Sequence, residues 1–286
     1  MPVVNVTVRL PDGEHPMRFD LDPERPNEEI VLGFLKGGRL YEPDVAAVFL
    51  RAIKAGDTVF DVGANIGIFS VLAARLTGAD GCVVGFEPAP DNRERLAANL
   101  ALNGITNVIV VDQPASDRTE GVTFHLNSDS AGGHSLWNPG KHPDHQKSRG
   151  KPRSIVMTTT TIDAEMARLR LTPPKLIKID TEGAEHRVLA GAVKLLMEFK
   201  VPYVIAELHE FGLSQMGSSQ SGLRGFMANL GYDTFLLFAD GSLPKFVPRD
   251  TRIASGFFLN LLFSTPDNVA ALWKVETHDP RTTGPP

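Results

Sequence analysis

The residues best suited to holding a ligand lie in Thr58-Val59-Phe60-Asp61-Val62-Gly63-Ala64-Asn65-Ile66-Gly67. An apolar run gives way to two glycines and then to a helical apolar pattern, which predicts a buried strand, a tight turn and a helix. Glycines allow the backbone of such a turn to approach a ligand closely. The dinucleotide pattern G-x-G-x-x-G would need glycine at positions 65 and 68, where the chain has Asn65 and Ile68. Asp61 ends the strand just beneath the turn. Its carboxylate disfavours a pyrophosphate at the helix N-terminus and favours a ligand with an amino group and a sulfonium, the charges that S-adenosylmethionine carries. The next strand ends Gly85-Phe86-Glu87-Pro88, one βαβ turn later. Glu87 alone would read as a solvated strand-end charge; with the upstream motif it reads as the acceptor for both ribose hydroxyls. Asp61, Gly63, Asn65, Gly67, Glu87 and Pro88 are therefore expected cofactor contacts, and Asp180, at the end of a later strand, is expected to join them.

A second constellation carries groups that move protons. Leu176-Ile177-Lys178-Ile179-Asp180-Thr181-Glu182-Gly183-Ala184-Glu185 reads as a strand entering a helix, and Ala206-Glu207-Leu208-His209-Glu210 ends the following strand. Both strand ends fall on the carboxyl edge, where open α/β sheets bind ligands. Methyl transfer from a sulfonium is an in-line displacement with a good leaving group, so alignment and a dry site matter most. A hydroxyl acceptor also needs a base or a metal to remove its proton. Asp180, His209, Glu207 and Glu182 are the candidates, and Asp180 and Glu207 could share a divalent metal. Asp180 could instead be a helix cap, His209 a structural histidine, and Glu185 a helix-surface charge paired with Arg187. His134, His142 and His145 fall in a polar stretch without a regular ligand framework. Trp137 in that stretch is either an acceptor contact or a packing anchor.

The elements that must position these groups follow from periodicity. Val4, Val6, Val8 and Leu10 alternate, Pro11-Asp12-Gly13 turns, and residues 17–21 pair back as a hairpin. Val45, Val48, Phe49, Ala52 and Ile53 fall on one helix face. Residues 1–55 form an N-terminal extension. Strands at 58–62, 82–86, 108–111, 176–180 and 203–207 alternate with helices at 66–76, 91–102 and 184–199, which implies right-handed βαβ units and a parallel sheet. Residues 223–230 form a further helix, and strands at 232–238 and 257–263 close the unit. The expected main domain is 56–265, with a C-terminal segment and tail at 266–286. After an extra strand at 122–126, residues 127–153 lose periodicity and carry five Lys/Arg against two Asp. A loop of that length inside a domain is a candidate lid or acceptor-binding segment.

Composition narrows the function classes. The 286-residue chain is 42% hydrophobic and 22% charged with a net charge of -5, so bulk nucleic-acid binding, which needs a basic surplus, is not expected. One cysteine, Cys82, allows no internal disulfide and suits a reducing compartment. The first residues lack a basic leader, and no apolar stretch approaches the roughly 20 residues of a membrane span. A cytoplasmic setting is the expectation; oligomeric state is not legible.

Together these residues resemble the FkbM family of S-adenosylmethionine-dependent methyltransferases, from about Gly56 to Phe238. The similarity rests on Phe60-Asp61-Val62-Gly63-Ala64-Asn65-Ile66-Gly67, Phe86-Glu87-Pro88, Ala115-Ser116-Asp117, and above all Lys178-Ile179-Asp180-Thr181-Glu182-Gly183-Ala184-Glu185. The resemblance implies an α/β, class I methyltransferase-type doubly wound sheet of seven mostly parallel strands, ordered 3-2-1-4-5-7-6 with strand 7 antiparallel. It also implies Asp112 and Ser116 at the adenine edge, although Gln113-Pro114 departs from the more hydrophobic family pattern. The implied activity is O-methylation of a hydroxyl on a natural product, sugar or glycolipid. A nucleotide-dependent oxidoreductase is the rival, opposed by Asp61, Asn65 and Ile68; a non-catalytic S-adenosylmethionine binder is opposed by the acidic edge. A nucleic-acid amino-methylase is disfavoured because Asp180-Thr181-Glu182-Gly183 occupies the place of an Asn/Asp-Pro-Pro-aromatic loop.

Overall fold

A computed structural model describes residues 3–10, 13–254 and 259–275. The chain opens with the expected hairpin, β1 (Val3–Leu10) against β2 (Gly13–Asp20), paired antiparallel from Val3↔Asp20 to Leu10↔Gly13. Helix α1 (Pro26–Lys36) follows, then α2 (Pro43–Ala52). The periodic reading found α2 and missed α1, whose start is nevertheless marked by Pro26 and by Glu28 and Glu29 in its first turn. Next come β3 (Thr58–Val62), α3 (Ile68–Thr77), β4 (Cys82–Phe86), α4 (Pro90–Leu102) and β5 (Val108–Val111). The polar insertion is a long hairpin: β6 (Gly121–Leu126) and β7 (Arg153–Thr158) pair antiparallel, and α5 (Gln146–Gly150) lies in the connection.

The βα rhythm resumes with α6 (Ile162–Leu169), β8 (Leu176–Ile179), α7 (Glu185–Ala190), α8 (Val193–Phe199) and β9 (Tyr203–Leu208). A single helix over 184–199 was expected; the chain breaks it at Gly191-Ala192. A Cβ at Gly191 would lie 2.0 Å from the Ser116 carbonyl oxygen, so the bare backbone is pressed against a neighbouring segment there. The Asp163 carboxylate then accepts the backbone N–H groups of Lys194 and Leu195, both at 2.9 Å, and restarts the helix as α8. The chain ends with α9 (Glu210–Gln215), α10 (Gln220–Asn229), β10 (Asp233–Leu236), β11 (Lys245–Phe246), β12 (Leu259–Ser264) and α11 (Pro266–Trp273). Phe257 and Phe258, expected to begin the last strand, and the tail after His278 lie outside the described residues.

The main sheet runs β11-β10-β12-β9-β8-β3-β4-β5. Without β11 this is the order 3-2-1-4-5-7-6, and β12 is antiparallel to both neighbours. The sheet has eight strands rather than seven because the two-residue β11 pairs with the edge of β10. One face packs on α2, α3 and the extension, through residues such as Phe19, Leu32, Phe49 and Val71; the other carries Ile162, Val188, Leu196 and Leu223. No helix among the described residues is long and apolar enough to cross a membrane.

Two buried asparagines, Asn99 on α4 and Asn103 at its C-cap, fasten the hairpin to this body. Asn99 accepts the Asp20 N–H at 2.9 Å and donates to the Ile66 carbonyl at 2.8 Å, while Asn103 accepts the Arg18 N–H at 2.9 Å and donates to the Arg18 carbonyl at 2.6 Å. Asn99 is fully buried, so losing its amide strands two backbone groups. Asn99→Ala is expected to lower the unfolding free energy by about 1–3 kcal/mol. Urea unfolding checks this, and a change within error of zero refutes it.

Candidate active site

A cleft of about 430 Å³ opens over the carboxyl ends of β3, β4, β8 and β9. One half is built on the glycine turn. Gly63, at φ 84°, and Asn65, at φ 50°, line the cleft, and the Gly63 and Ala64 N–H groups donate to the Phe86 carbonyl at 3.0 Å. A Cβ at Gly63 would lie 1.8 Å from the Asp180 carbonyl oxygen, so only glycine lets the first strand end close onto the fourth. Glu87 also lines the cleft, with one carboxylate oxygen accepting the Asn65 N–H and the other the Ala89 N–H, both at 2.8 Å. Pro88 and Asn92 complete this wall.

Other expected contacts lie elsewhere. Asp61 is completely buried beneath the cleft and is not part of its wall: its carboxylate accepts the Ser70 hydroxyl at 2.6 Å and lies 3.9 Å from the Lys178 ammonium. Strand alternation is the reason, because Asp61 points into the α3 side of the sheet. Gly67, at φ 91°, caps α3, and a Cβ there would meet Leu96 Cδ1 at 2.4 Å. Asp112 is exposed and Ser116 is buried with its hydroxyl on Asp117. Pro114 and Ala115, between them, face the cleft instead.

The other half gathers Asp180, Glu182, Glu207 and His209 in one wall, as the strand ends implied. Lys178, buried in β8, donates to Asp180 at 3.0 Å. Burial alone would lower its pKa, but Asp180, Asp61 and Glu42 outweigh that and raise it. The Glu182 carboxylate lies 3.1 Å from His209 Nδ1. Burial works against a charged His209, yet Glu182 and then Glu185 shift its pKa upward. Glu207 is held well above the usual carboxylate range by burial and by Asp180, Glu182, Glu185 and Glu42. Glu185 is neither a surface charge nor an Arg187 partner. It is fully buried, and one of its oxygens accepts the Thr181 N–H, the Thr181 hydroxyl and the Gly183 N–H, each at 3.0 Å. It thereby shapes the loop that presents Asp180 and Glu182.

Tyr41 and Glu42, from the extension, face the same cleft and were not singled out in the sequence. Glu42 sits at φ 43° immediately before Pro43, in a left-handed conformation costly for such a residue. Burial, then Asp180, pushes its carboxyl up to about 8. The 127–153 insertion adds Asn127, Gly132, His134 and His145 to the rim. Asn127 organises it by accepting the Asp129 N–H at 2.8 Å, the Ser130 N–H at 3.2 Å and the Ser148 hydroxyl at 2.9 Å. Burial lowers His134 to about 4, and its Nδ1 accepts the Asn127 N–H at 2.9 Å. Trp137 takes the anchor role: it is buried, and its indole N–H donates to the Glu182 carbonyl at 2.6 Å.

Burial raises the Glu87 carboxyl from 4.5 to about 7 against the lowering effect of Ala89, Asn65 and Asn92. The fold therefore favours its protonated form, and between these two values the native chain holds more proton at Glu87 than the unfolded chain does. This contribution to stability is complete below about pH 4.5 and is lost as pH rises to about 7, with an upper magnitude of about 3 kcal/mol. In ligand-free protein, the unfolding free energy should fall more steeply over this window for wild type than for Glu87→Gln. Parallel pH profiles in urea unfolding would refute the assignment.

The family model for the methyltransferase FkbM domain matches residues 61–234, more than half of the chain. The chain is 29% identical over 227 residues to the 31-O-demethyl-FK506 methyltransferase FkbM of Streptomyces tacrolimicus, covering 70% of this chain and 83% of that protein. It is 29% identical over 176 residues to the hexuronic acid methyltransferase AglP of Haloferax volcanii, covering 59% of this chain and 62% of AglP. Among solved structures, a precorrin-6y C5,15-methyltransferase from Geobacter metallireducens GS-15 superposes with a TM-score of 0.42 at 12% identity, covering 79% of this chain and 87% of that one. The strand order, the carboxyl-edge cleft and the span of the domain match lead to one assignment: the chain belongs to the FkbM family of methyltransferases.

Proposed function

We propose that the protein transfers the methyl group of S-adenosylmethionine to a hydroxyl oxygen of a small molecule, sugar or natural product. The observation that carries this reading is that Gly63, Asn65 and Glu87 open into the same cleft as Asp180, Glu207 and His209. The residues fit the cofactor. Gly63 lines the cleft, and the Glu87 carboxyl, each oxygen of which accepts one backbone amide, retains acceptor capacity for a ribose hydroxyl. Among the described residues the Asn65 and Asn92 side-chain oxygens have no hydrogen-bond partner, and both residues line that wall. When bound, S-adenosylmethionine supplies a methyl group on a positively charged sulfur.

The chain's own residues do the rest. The acidic groups at 42, 180, 182 and 207 make the cleft favourable to a cation, whose arrival offsets the burial that holds Glu42 and Glu207 toward their protonated forms. Asp180, held by Lys178, orients the acceptor hydroxyl and helps remove its proton, with His209 and Glu207 as the neighbouring acceptors. Ile30 and Tyr41 from the extension and Leu136 from the insertion give an apolar side that excludes water. On this reading, residues 56–265 form the transferase unit, and residues 1–55 and 127–153 shape the acceptor site. The names of the two relatives, a 31-O-demethyl-FK506 methyltransferase and a hexuronic acid methyltransferase, support an oxygen-bearing small-molecule or sugar acceptor. The lone Cys82 suits a cytoplasmic setting, and the net charge of -5 does not suit a nucleic-acid partner.

Calorimetry should show S-adenosylmethionine binding that Glu87→Ala weakens by about 1.5–3 kcal/mol; equal affinities would remove Glu87 from the site. In a labelled-methyl screen across hydroxylated metabolites, sugars and macrolides, Asp180→Asn should lower kcat by about 10²–10⁴ with little change in cofactor affinity. If Asp180→Asn and His209→Ala both keep wild-type kcat on a true acceptor when chemistry limits the rate, the proton-accepting edge is misassigned. Replacing 129–150 with a short linker should spare cofactor binding and impair acceptor turnover; unchanged turnover would make the insertion inert.

A further inference from the structure

Glu182, Glu207 and His209 each bring one ligand-capable atom to within 4.8 Å of the others. They come from two separate segments, the loop after β8 and the end of β9. The junction of those segments is built tightly. A Cβ at Gly183 would lie 2.2 Å from the Gly212 carbonyl carbon, and one at Gly212 would lie 2.3 Å from the Glu182 carbonyl oxygen and 2.8 Å from His209 Nδ1. Glu182 itself is held at φ 59°, with its carbonyl accepting the Trp137 indole N–H. Two bare glycines and a strained glutamate therefore press the two carboxylates and the imidazole together, where a looser loop would let them separate.

Asp180 and Glu42 face the same cleft, and the buried Lys178 ammonium is already shared between Asp180 at 3.0 Å and Asp61 at 3.9 Å. The Glu207 Oε2 atom is closed to solvent and has no hydrogen-bond partner among the described residues. A buried carboxylate oxygen without a donor is costly, and a cation satisfies it. The cluster also differs from a solvated acidic patch because an imidazole nitrogen completes it.

We propose that Glu182, Glu207 and His209 form a binding site for one divalent cation of the manganese or zinc class. Two carboxylates and one imidazole form a mixed oxygen–nitrogen donor set suited to those ions. Three protein donors leave coordination positions open toward the cleft, as in catalytic rather than structural sites. Binding replaces the 3.1 Å Glu182–His209 contact with a common partner, and the proton shared there leaves to solvent. The role of the site rests on the methyl-transfer reading: a cation there lowers the pKa of an acceptor hydroxyl and holds its oxygen beside Asp180. Cation binding itself does not depend on that reading.

The test titrates the chelator-treated full-length protein with Mn²⁺, following loss of the free-ion electron paramagnetic resonance signal, with zinc competition as a second readout. One saturable Mn²⁺ per chain is expected, displaced by Zn²⁺. Glu207→Gln and His209→Ala should each weaken binding at least about tenfold, while Asp267→Asn, an exposed carboxylate in the first turn of α11, leaves it unchanged. Circular dichroism and thermal unfolding accompany each variant; if either fails to fold, Glu182→Gln takes its place. Absence of saturable binding, or equal affinity in wild type and the folded ligand variants, overturns the proposal. Calorimetry with S-adenosylmethionine on the same samples separates the two readings. Cofactor binding without Mn²⁺ binding sinks the metal site alone; Mn²⁺ binding without cofactor binding sinks the methyl-transfer reading and leaves the site standing.

Discussion

Lys178 lies on the central strand β8, in register with Asp61 of β3, and its ammonium sits 3.9 Å from the Asp61 carboxylate and 3.0 Å from that of Asp180. The group is buried, and the Phe69 ring lies 5.1 Å from it. An ammonium in such a place is tolerated only when it is paired, and removing one partner of a buried pair leaves an uncompensated charge. The pairing also works in the other direction. Asp61 can end a strand at zero exposure because Lys178 and the Ser70 hydroxyl meet it, and the same ammonium holds the Asp180 side chain at the cleft. The acidic wall above is built on this one cation.

Close backbone approach is the second constraint. Gly63 brings the turn after β3 against the Asp180 carbonyl, and Gly183 brings the loop after β8 against Gly212. A side chain at either position would drive apart two strand ends that must share a cleft. These contacts fuse the wall carrying Gly63, Asn65 and Glu87 with the wall carrying Asp180, Glu182, Glu207 and His209. Glu185 serves the same end from inside, since its buried carboxylate gathers three donors from the loop that carries Asp180 and Glu182.

The additions to the sheet complete the walls. Helix α1 and the start of α2 supply Ile30, Tyr41 and Glu42, and the β6–β7 connection supplies Asn127, His134 and Leu136. Trp137 ties that connection to the Glu182 carbonyl, so the insertion is fastened to the acidic wall. Loops carried by a rigid sheet are where ligand choice can vary without disturbing the core.

Much of this was legible in the sequence because it is local. Apolar runs of strand length, the turn at Gly63, the helix stop at Gly104 and the carboxylates at strand ends are set by periodicity and backbone chemistry over a few residues. The strand order and the antiparallel β12 followed from the resemblance, and the wall formed by Asp180, Glu182, Glu207 and His209 from the parallel sheet itself. Facing and partnership were not legible, because they depend on contacts between distant segments. Asp61 turns under the cleft to meet Ser70 and Lys178, while Glu87, one strand over, faces into it. Pro114 and Ala115 line the cleft while Asp112 is exposed and Ser116 buried, and Glu185 turns inward to its loop. Glu42 carries no motif and reaches the site only because the extension folds back over the sheet. Local sequence sets which elements form and what their ends carry; only packing across the whole chain decides which of those groups share low-dielectric space, and hence which are paired, shifted in pKa or left open to a ligand.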